Sequence, residues 1–246
     1  MKNICSILCF TFLLINSTNA QTQVYELRVY ELEFFQSAEI LHAYFEKALI
    51  PALNRQGVKS VGAFEEAGGA LPKKIYLLIP HEDITSFQNS GGDLLKDEVY
   101  RQAARPYLTA DPATIPYKRI NVSLILSTTG FPELIAPANA GLFELRIYES
   151  HNEDALMRKL EMFDHEFAIF DDAGLPMVFF GKNIAGDQIP CLTYMLATGD
   201  MEENTRGWSN FLQHPEWKKL LAQEEYKDSM NDITRIFLKS LDYSQL

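Results

Sequence analysis

Cysteine is scarce in this chain: of 246 residues only Cys5, Cys9 and Cys191 are cysteines. The first two fall in an N-terminal segment expected to be removed, which leaves Cys191. One cysteine cannot form an internal disulfide, so the mature fold must be held by its core. Cys191 itself sits in the apolar run Cys191-Leu192-Thr193-Tyr194-Met195-Leu196 and reads as a small core residue rather than a reactive thiol. Positive charge is also short. Lys and Arg number 22 against 33 Asp and Glu, a net charge of -11. That balance excludes phosphate-backbone recognition, so no nucleic-acid partner is expected, and it disfavours anionic membrane surfaces. The chain lacks a nucleophile elbow, a P-loop, a dinucleotide fingerprint, an HExxH helix and Cys/His zinc spacing. No metal site is expected, and no cofactor is assigned. Asp171-Asp172, near a helix end, reads as a solvated pair.

The apolar run Ile4–Ile15 is too short to span a bilayer. It follows Lys2 and precedes Asn16-Ser17-Thr18-Asn19-Ala20, with small residues Thr18 and Ala20 where a signal peptidase reads. The expectation is a signal peptide over 1–20, cleavage after Ala20, and a secreted or periplasmic mature protein that starts at Gln21 and has no membrane association.

What the chain does have is an internal repeat. Tyr25-Glu26-Leu27-Arg28-Val29-Tyr30-Glu31 returns as Phe143-Glu144-Leu145-Arg146-Ile147-Tyr148-Glu149, an offset of 118. Gly57 returns as Gly174, the segment 94–100 returns faintly as 211–217, and Arg119-Ile120 returns as Arg235-Ile236. Each copy reads as strand, amphipathic helix, two strands, a second helical region and a last strand. The fold class is therefore α+β, with two tandem ferredoxin-like βαββαβ repeats over 24–126 and 142–241 and a Pro-, Gly- and Ala-rich linker at 127–141. Both helices of a unit cover one sheet face. Packing the two remaining faces together gives a barrel-like pseudo-dimer within one chain.

Strand alternation splits the opening motif into two sets. Tyr25, Leu27 and Val29 share one face; Glu26, Arg28 and Tyr30 share the other, as do Glu144, Arg146 and Tyr148 in the second copy. If the apolar set meets the helices, the polar set points into the space between the sheets. Arg119, Asn121 and Ser123 of the last strand would join that wall. Glu26 with Arg28 or Arg119, and Glu144 with Arg146 or Arg235, then serve either as buried ion pairs or as donors to an anionic or carbonyl-bearing ligand. Among the histidines, His165 faces water on its helix, His42 lies on a helix flank, and His81 and His151 fall in turns. His214 opens His214-Pro215-Glu216-Trp217, as a helix cap or as a group at the cavity mouth. The candidate ligand-binding set is Glu26, Arg28, Tyr30, Arg119, Glu144, Arg146, Tyr148 and His214.

The motif Tyr25–Tyr30, the helix ending near Gly57, Val61-Gly62 with Phe64, and Pro215-Glu216-Trp217 together resemble NIPSNAP domains of the dimeric α+β-barrel superfamily. The resemblance spans nearly all of 24–241 as two domains. The second copy departs from it, with Phe179-Phe180-Gly181 in place of Val61-Gly62, which implies a narrowed or altered pocket in one half. The resemblance implies the fold strongly. For function it implies a superfamily that contains small monooxygenases and haem-degrading enzymes beside members without catalysis. Three functions compete: a small-molecule-binding module, a cofactor-independent or haem-handling monooxygenase-type enzyme, and a protein-interaction scaffold on the acidic surface. Self-association into a homo-oligomer stays open.

Overall fold

A computed structural model describes residues 22–34 and 36–246. The expected signal segment lies outside the described residues. The first repeat runs β1 (Val24–Leu32), α1 (Glu39–Tyr44), a π-helical turn (Phe45–Leu49), α2 (Ile50–Arg55), β2 (Gly62–Glu66), β3 (Lys74–His81), α3 (Ile84–Lys96), α4 (Glu98–Leu108) and β4 (Tyr117–Ser127). The second runs β5 (Leu142–Glu149), α5 (Glu153–Ala173), β6 (Met177–Ala185), β7 (Cys191–Thr198), α6 (Met201–Gln213), α7 (Pro215–Leu221) and β8 (Asp232–Ser240). No helix of the described residues is long and apolar enough to cross a membrane.

Gly57 and Gly174 close the first helical segments with φ of +92° and +77°, a backbone region that glycine enters without a Cβ penalty. The first segment of repeat 1 carries the π-turn, and across it the repeat offset falls from 118 to 117. One inserted residue is what a π-turn absorbs. Phe45 and Phe163 therefore correspond, and each packs its ring against the tyrosine of its own opening strand.

Each repeat orders its strands in the ferredoxin-like way, and the two four-stranded sheets join at both edges. The result is a closed barrel, β1-β3-β2-β8-β5-β7-β6-β4, with β2 paired to β8 and β6 to β4. Closure leaves no free sheet edge. The linker is not a loose tether: Leu134 donates its N–H to Gln23 Oε1, and Ile135 donates to the Val178 carbonyl.

The barrel lumen is filled by side chains of both repeats, among them Tyr25, Leu27, Phe64, Phe143, Leu145, Phe179 and Leu238. Phe64 meets Phe143 at 4.8 Å and Tyr25 meets Phe179 at 5.0 Å, each contact crossing between repeats. Two separate cores lie outside the barrel, one under the helices of each repeat.

This distribution corrects the face assignment made from the alternation. The two residue sets are right and their directions are exchanged. Tyr25, Leu27 and Val29 point into the lumen, while Glu26, Arg28, Tyr30, Glu144, Arg146 and Tyr148 lie on the helix-facing side of the sheet. The apolar contacts to the helices come instead from the central strands. β3 and β7 are apolar on both faces, with Ile75, Leu77, Ile79, Leu192, Tyr194 and Leu196 toward the helices and Tyr76, Leu78, Met195 and Ala197 toward the lumen. With that layer in place, β1 and β5 can hold polar groups beneath the helices, and the lumen receives their apolar set.

The Phe179-Phe180-Gly181 departure follows from closure. Phe179 enters the lumen, Phe180 packs on α5, and Gly181 sits where β6 meets β4. A Cβ at Gly181 would stand 2.4 Å from the Leu126 carbonyl oxygen. Gly181→Ala is therefore expected to lower stability by about 2 kcal/mol through overpacking against backbone, read as a shift in urea midpoint. An unchanged midpoint would mean that the β4–β6 seam tolerates the shift.

Candidate functional site

The second repeat holds a cavity of about 330 Å³ between its sheet and its helices. Arg146 and Tyr148 of β5 and Ile233 and Arg235 of β8 form the floor, with Arg146 and Arg235 directly opposite in the ladder. Lys159, Glu166 and Phe170 of α5 form the back; Trp208, Phe211 and Leu212 of α6 and Trp217 of α7 form the walls. The break at His214-Pro215 ends α6 and starts α7, with proline at a first-turn position, and it turns Trp217 toward the cavity.

Glu144 is the buried anchor of this site. Its Oε1 accepts from Arg146 Nη1 at 3.0 Å, and its Oε2 accepts from Asn204 Nδ2 and from Trp208 Nε1, each at 2.7 Å. Asn204 and Trp208 are four residues apart on α6, so one helix face supplies both donors. The Arg146 guanidinium lies 4.2 Å from the centroid of the Trp208 ring, a cation–π contact in which the ring face attracts the charge. Arg146 thus spends only part of its fork on Glu144. Its Nε is buried and has no hydrogen-bond partner. Buried donors are almost always satisfied, so this one is an uncompensated polar group beside the cavity.

Behind Arg146 lies a second charged pair. Lys159 Nζ donates to Glu166 Oε1 at 2.6 Å, with both side chains almost fully buried. The ammonium stands 4.8 Å from the Phe163 ring centroid and 5.8 Å from that of Trp217. Burial raises the Glu166 carboxyl above its ordinary value, and Lys159 offsets this only in part. Burial also pushes the Tyr148 phenol up to about 12, against the pull of Arg146, so it stays neutral and accepts a hydrogen bond from Tyr194.

The equivalent place in the first repeat is closed. Arg28 spends both Nε and Nη2 on Glu26, at 2.6 and 3.0 Å, and His81 lies 3.1 Å from the same carboxylate. Burial works to raise the Glu26 carboxyl, but the hydrogen bonds from His81 and Arg28 outweigh it and hold it below the ordinary value. Tyr44 and Tyr107 stack at 4.1 Å, and Tyr44 shares a 2.9 Å hydrogen bond with Tyr100. Repeat register places Leu41 where α5 has Lys159 and Leu49 where it has Glu166, and both leucines are fully buried. Gly91 stands where α6 has Trp208.

The remaining candidates disperse. Arg119 is half-exposed at the barrel end, 3.8 Å from Glu31, and does not join the Glu26–Arg28 pair. Its register places it on the lumen side of β4, opposite to Arg28. His214 caps α7, its Nδ1 accepting from the Glu216 N–H, and faces a surface groove with His165 and Asp172 rather than the cavity. His81 is no turn residue: it ends β3, buried against Glu26. His42 Nδ1 stands 2.7 Å from the Tyr243 hydroxyl. Cys191 is buried, and burial pushes its thiol up to about 12, as suits an inert core residue. Among the described residues no cluster of three or more His, Cys, Asp or Glu side chains is arranged to hold a metal ion.

Sequence reasoning missed Lys159, Glu166, Asn204 and Trp208. A signal for the first two exists. Lys159 and Glu166 are seven residues apart, two helical turns, on the same stripe as Phe163 and Phe170. Two charges on an apolar stripe are either mispatterned or partners. For Asn204 and Trp208 no signal precedes knowledge of where α6 lies over β5.

The NIPSNAP family model matches residues 143–245, the second repeat, whereas the resemblance was expected over nearly all of 24–241. No curated protein matches the sequence. Among solved structures, a candidate monooxygenase from Fusobacterium nucleatum is 11% identical, covers 90% of this chain and 93% of its own, and superposes with a TM-score of 0.57. A candidate monooxygenase from Lactobacillus acidophilus is 12% identical, covers 89% and 94%, and gives 0.59. A candidate chlorite dismutase is 9% identical, covers 90% and 96%, and gives 0.51. At these identities the likeness establishes the fold alone, a closed eight-stranded α+β barrel.

Proposed function

We propose that the second repeat is a receptor pocket for a small, largely apolar anion, and that the first repeat is its structural partner. One observation carries this reading: in two copies of one motif, the first pairs its arginine through Nε and Nη2 and fills the space beside it, while the second leaves Arg146 Nε unpartnered beside a cavity. Arg235 adds a second guanidinium across the ladder. Two guanidinium groups beneath aromatic walls suit a carboxylate on a flat apolar body. The volume lies at the small end of ligand pockets. The overall charge of -11 gives such an anion no long-range attraction, so recognition is local.

A panel of benzoate, phenylacetate and 4-formylbenzoate, with benzyl alcohol as a neutral control, tests the reading. The acids are expected to raise the melting temperature of the wild type in proportion to occupancy. Arg235→Gln is expected to weaken their binding at least tenfold, about 1.4 kcal/mol, without lowering the unliganded melting temperature. Equal binding of acids and alcohol would overturn the anionic reading.

The same proposal puts the pocket in an extracytoplasmic compartment, on the strength of the Lys2 and Ile4–Ile15 pattern. Protein recovered from that fraction should begin at Gln21 or its cyclised form on N-terminal sequencing. Intact Met1 in the membrane fraction would contradict it.

A further inference from the structure

Lys159 and Glu166 need a reason to exist. A buried ion pair is a poor source of stability, because desolvation of both charges takes back most of the Coulomb gain. The first repeat shows that this fold does without it, since Leu41 and Leu49 occupy the corresponding places. The pair also lines the one cavity with an unpartnered guanidinium donor on its floor, among those described. Lys159 Nζ and the Arg146 guanidinium carbon lie 5.6 and 5.3 Å from the centroid of the same Tyr148 ring. The two cations thus flank one ring, and both line the same cavity, so a small acid held by Arg146 and Arg235 is taken to direct its far end toward the amine.

We propose that Lys159 is a carbonyl-reactive amine that condenses reversibly with the aldehyde or ketone group of a bound oxo acid, with Glu166 carrying the protons. This rests on the pocket being the anion site argued above. The steps balance without an oxidant or reductant. The Lys159 ammonium passes a proton to the Glu166 carboxylate, and the freed lone pair attacks the carbonyl carbon to form a C–N bond. The carbonyl π pair moves to oxygen, which takes the proton back from Glu166. A second nitrogen proton goes to Glu166 and on to the hydroxyl, which leaves as water and yields the C=N bond. Burial raises the proton affinity of the Glu166 carboxyl, and its hydrogen bond to Lys159 Nζ puts it in place to take and return the protons. Arg146 and Arg235 supply the selectivity for an acid-bearing carbonyl compound.

Reductive trapping tests the proposal. The full chain is incubated with 4-formylbenzoate and sodium cyanoborohydride, digested and mapped by mass spectrometry. Lys159 is expected to gain the carboxybenzyl group at least tenfold faster than the exposed Lys218 and Lys219 of α7. Glu166→Gln is expected to slow the labelling of Lys159 at least tenfold. K159L/E166L, which rebuilds the leucine pair of the first repeat, keeps the fold and shows only the surface labels. Labelling spread over surface lysines, with Lys159 untouched, overturns the proposal. If tryptophan emission still responds to 4-formylbenzoate in that case, the binding reading survives alone. If it does not, both fall.

Discussion

Lys159→Leu alone is expected to destabilise the protein by about 3–5 kcal/mol, the usual cost of stranding one partner of a buried pair. The double change K159L/E166L is expected to recover most of that loss, since apolar replacement of both partners is commonly neutral or stabilising. Repeat 1 is the internal precedent, with Leu41 and Leu49 packed in its helical core. The comparison also has a pH signature. Glu166 holds its proton more tightly in the folded state than its ordinary value of 4.5. Such a group adds stability that is fully present below the unfolded value and is lost as pH rises through the folded one. Relative to K159L/E166L, the wild type should therefore gain stability as pH falls from neutrality toward 4.5. Urea melts at constant ionic strength read both effects. Single and double variants equally destabilised would mean that the pair is structural, and a pH-independent difference would mean that Glu166 titrates normally.

The two arginines of the repeated motif are expected to part company. Arg28→Ala should cost about 3 kcal/mol at neutral pH, because Glu26 is buried and loses a bidentate partner, keeping only His81. Glu26 is held below its ordinary value, so this stability is present above the unfolded value and lost as pH falls through the folded one. The cost of Arg28→Ala should shrink on acidification accordingly. Arg146→Ala should cost less, about 1–2 kcal/mol, because Glu144 keeps its bonds from Asn204 and Trp208. It should instead abolish stabilisation by aromatic carboxylates. Thermal melts with and without phenylacetate separate the cases. Equal costs for the two changes, with ligand response intact in Arg146→Ala, would remove the distinction drawn between the repeats.

The α+β barrel was legible in the sequence because period-two alternation and a recurrent seven-residue motif are local signals. The glycines at 57 and 174 were legible for the same reason. The direction of each strand face was not. Alternation separates Glu26, Arg28 and Tyr30 from Tyr25, Leu27 and Val29, but which set faces the lumen depends on what the central strands offer the helices. Ile75–Ile79 and Leu192–Leu196 are apolar on both faces, and that continuous character was the cue that β3 and β7, not β1 and β5, carry the helix contacts. The location of the pocket depended on tertiary placement still further. Trp208 and Asn204 reach Glu144 only because α6 crosses β5, and nothing within α6 announces that crossing. Arg119 and His214 lie apart from the cavity, because alternation alone does not reveal that Arg119 faces the lumen side, and a helix cap does not reveal that His214 turns to the groove beside His165 and Asp172.

The chain has two tryptophans, Trp208 and Trp217, and both line the pocket of the second repeat. Tryptophan emission during titration with phenylacetate therefore reports on that pocket and on no other part of the molecule. Emission is expected to change along the same isotherm as the thermal stabilisation, and both are expected to vanish in Arg146→Ala. Stabilisation by phenylacetate with emission unmoved would place the ligand elsewhere and contradict the assignment of the site to the outer face of the second repeat.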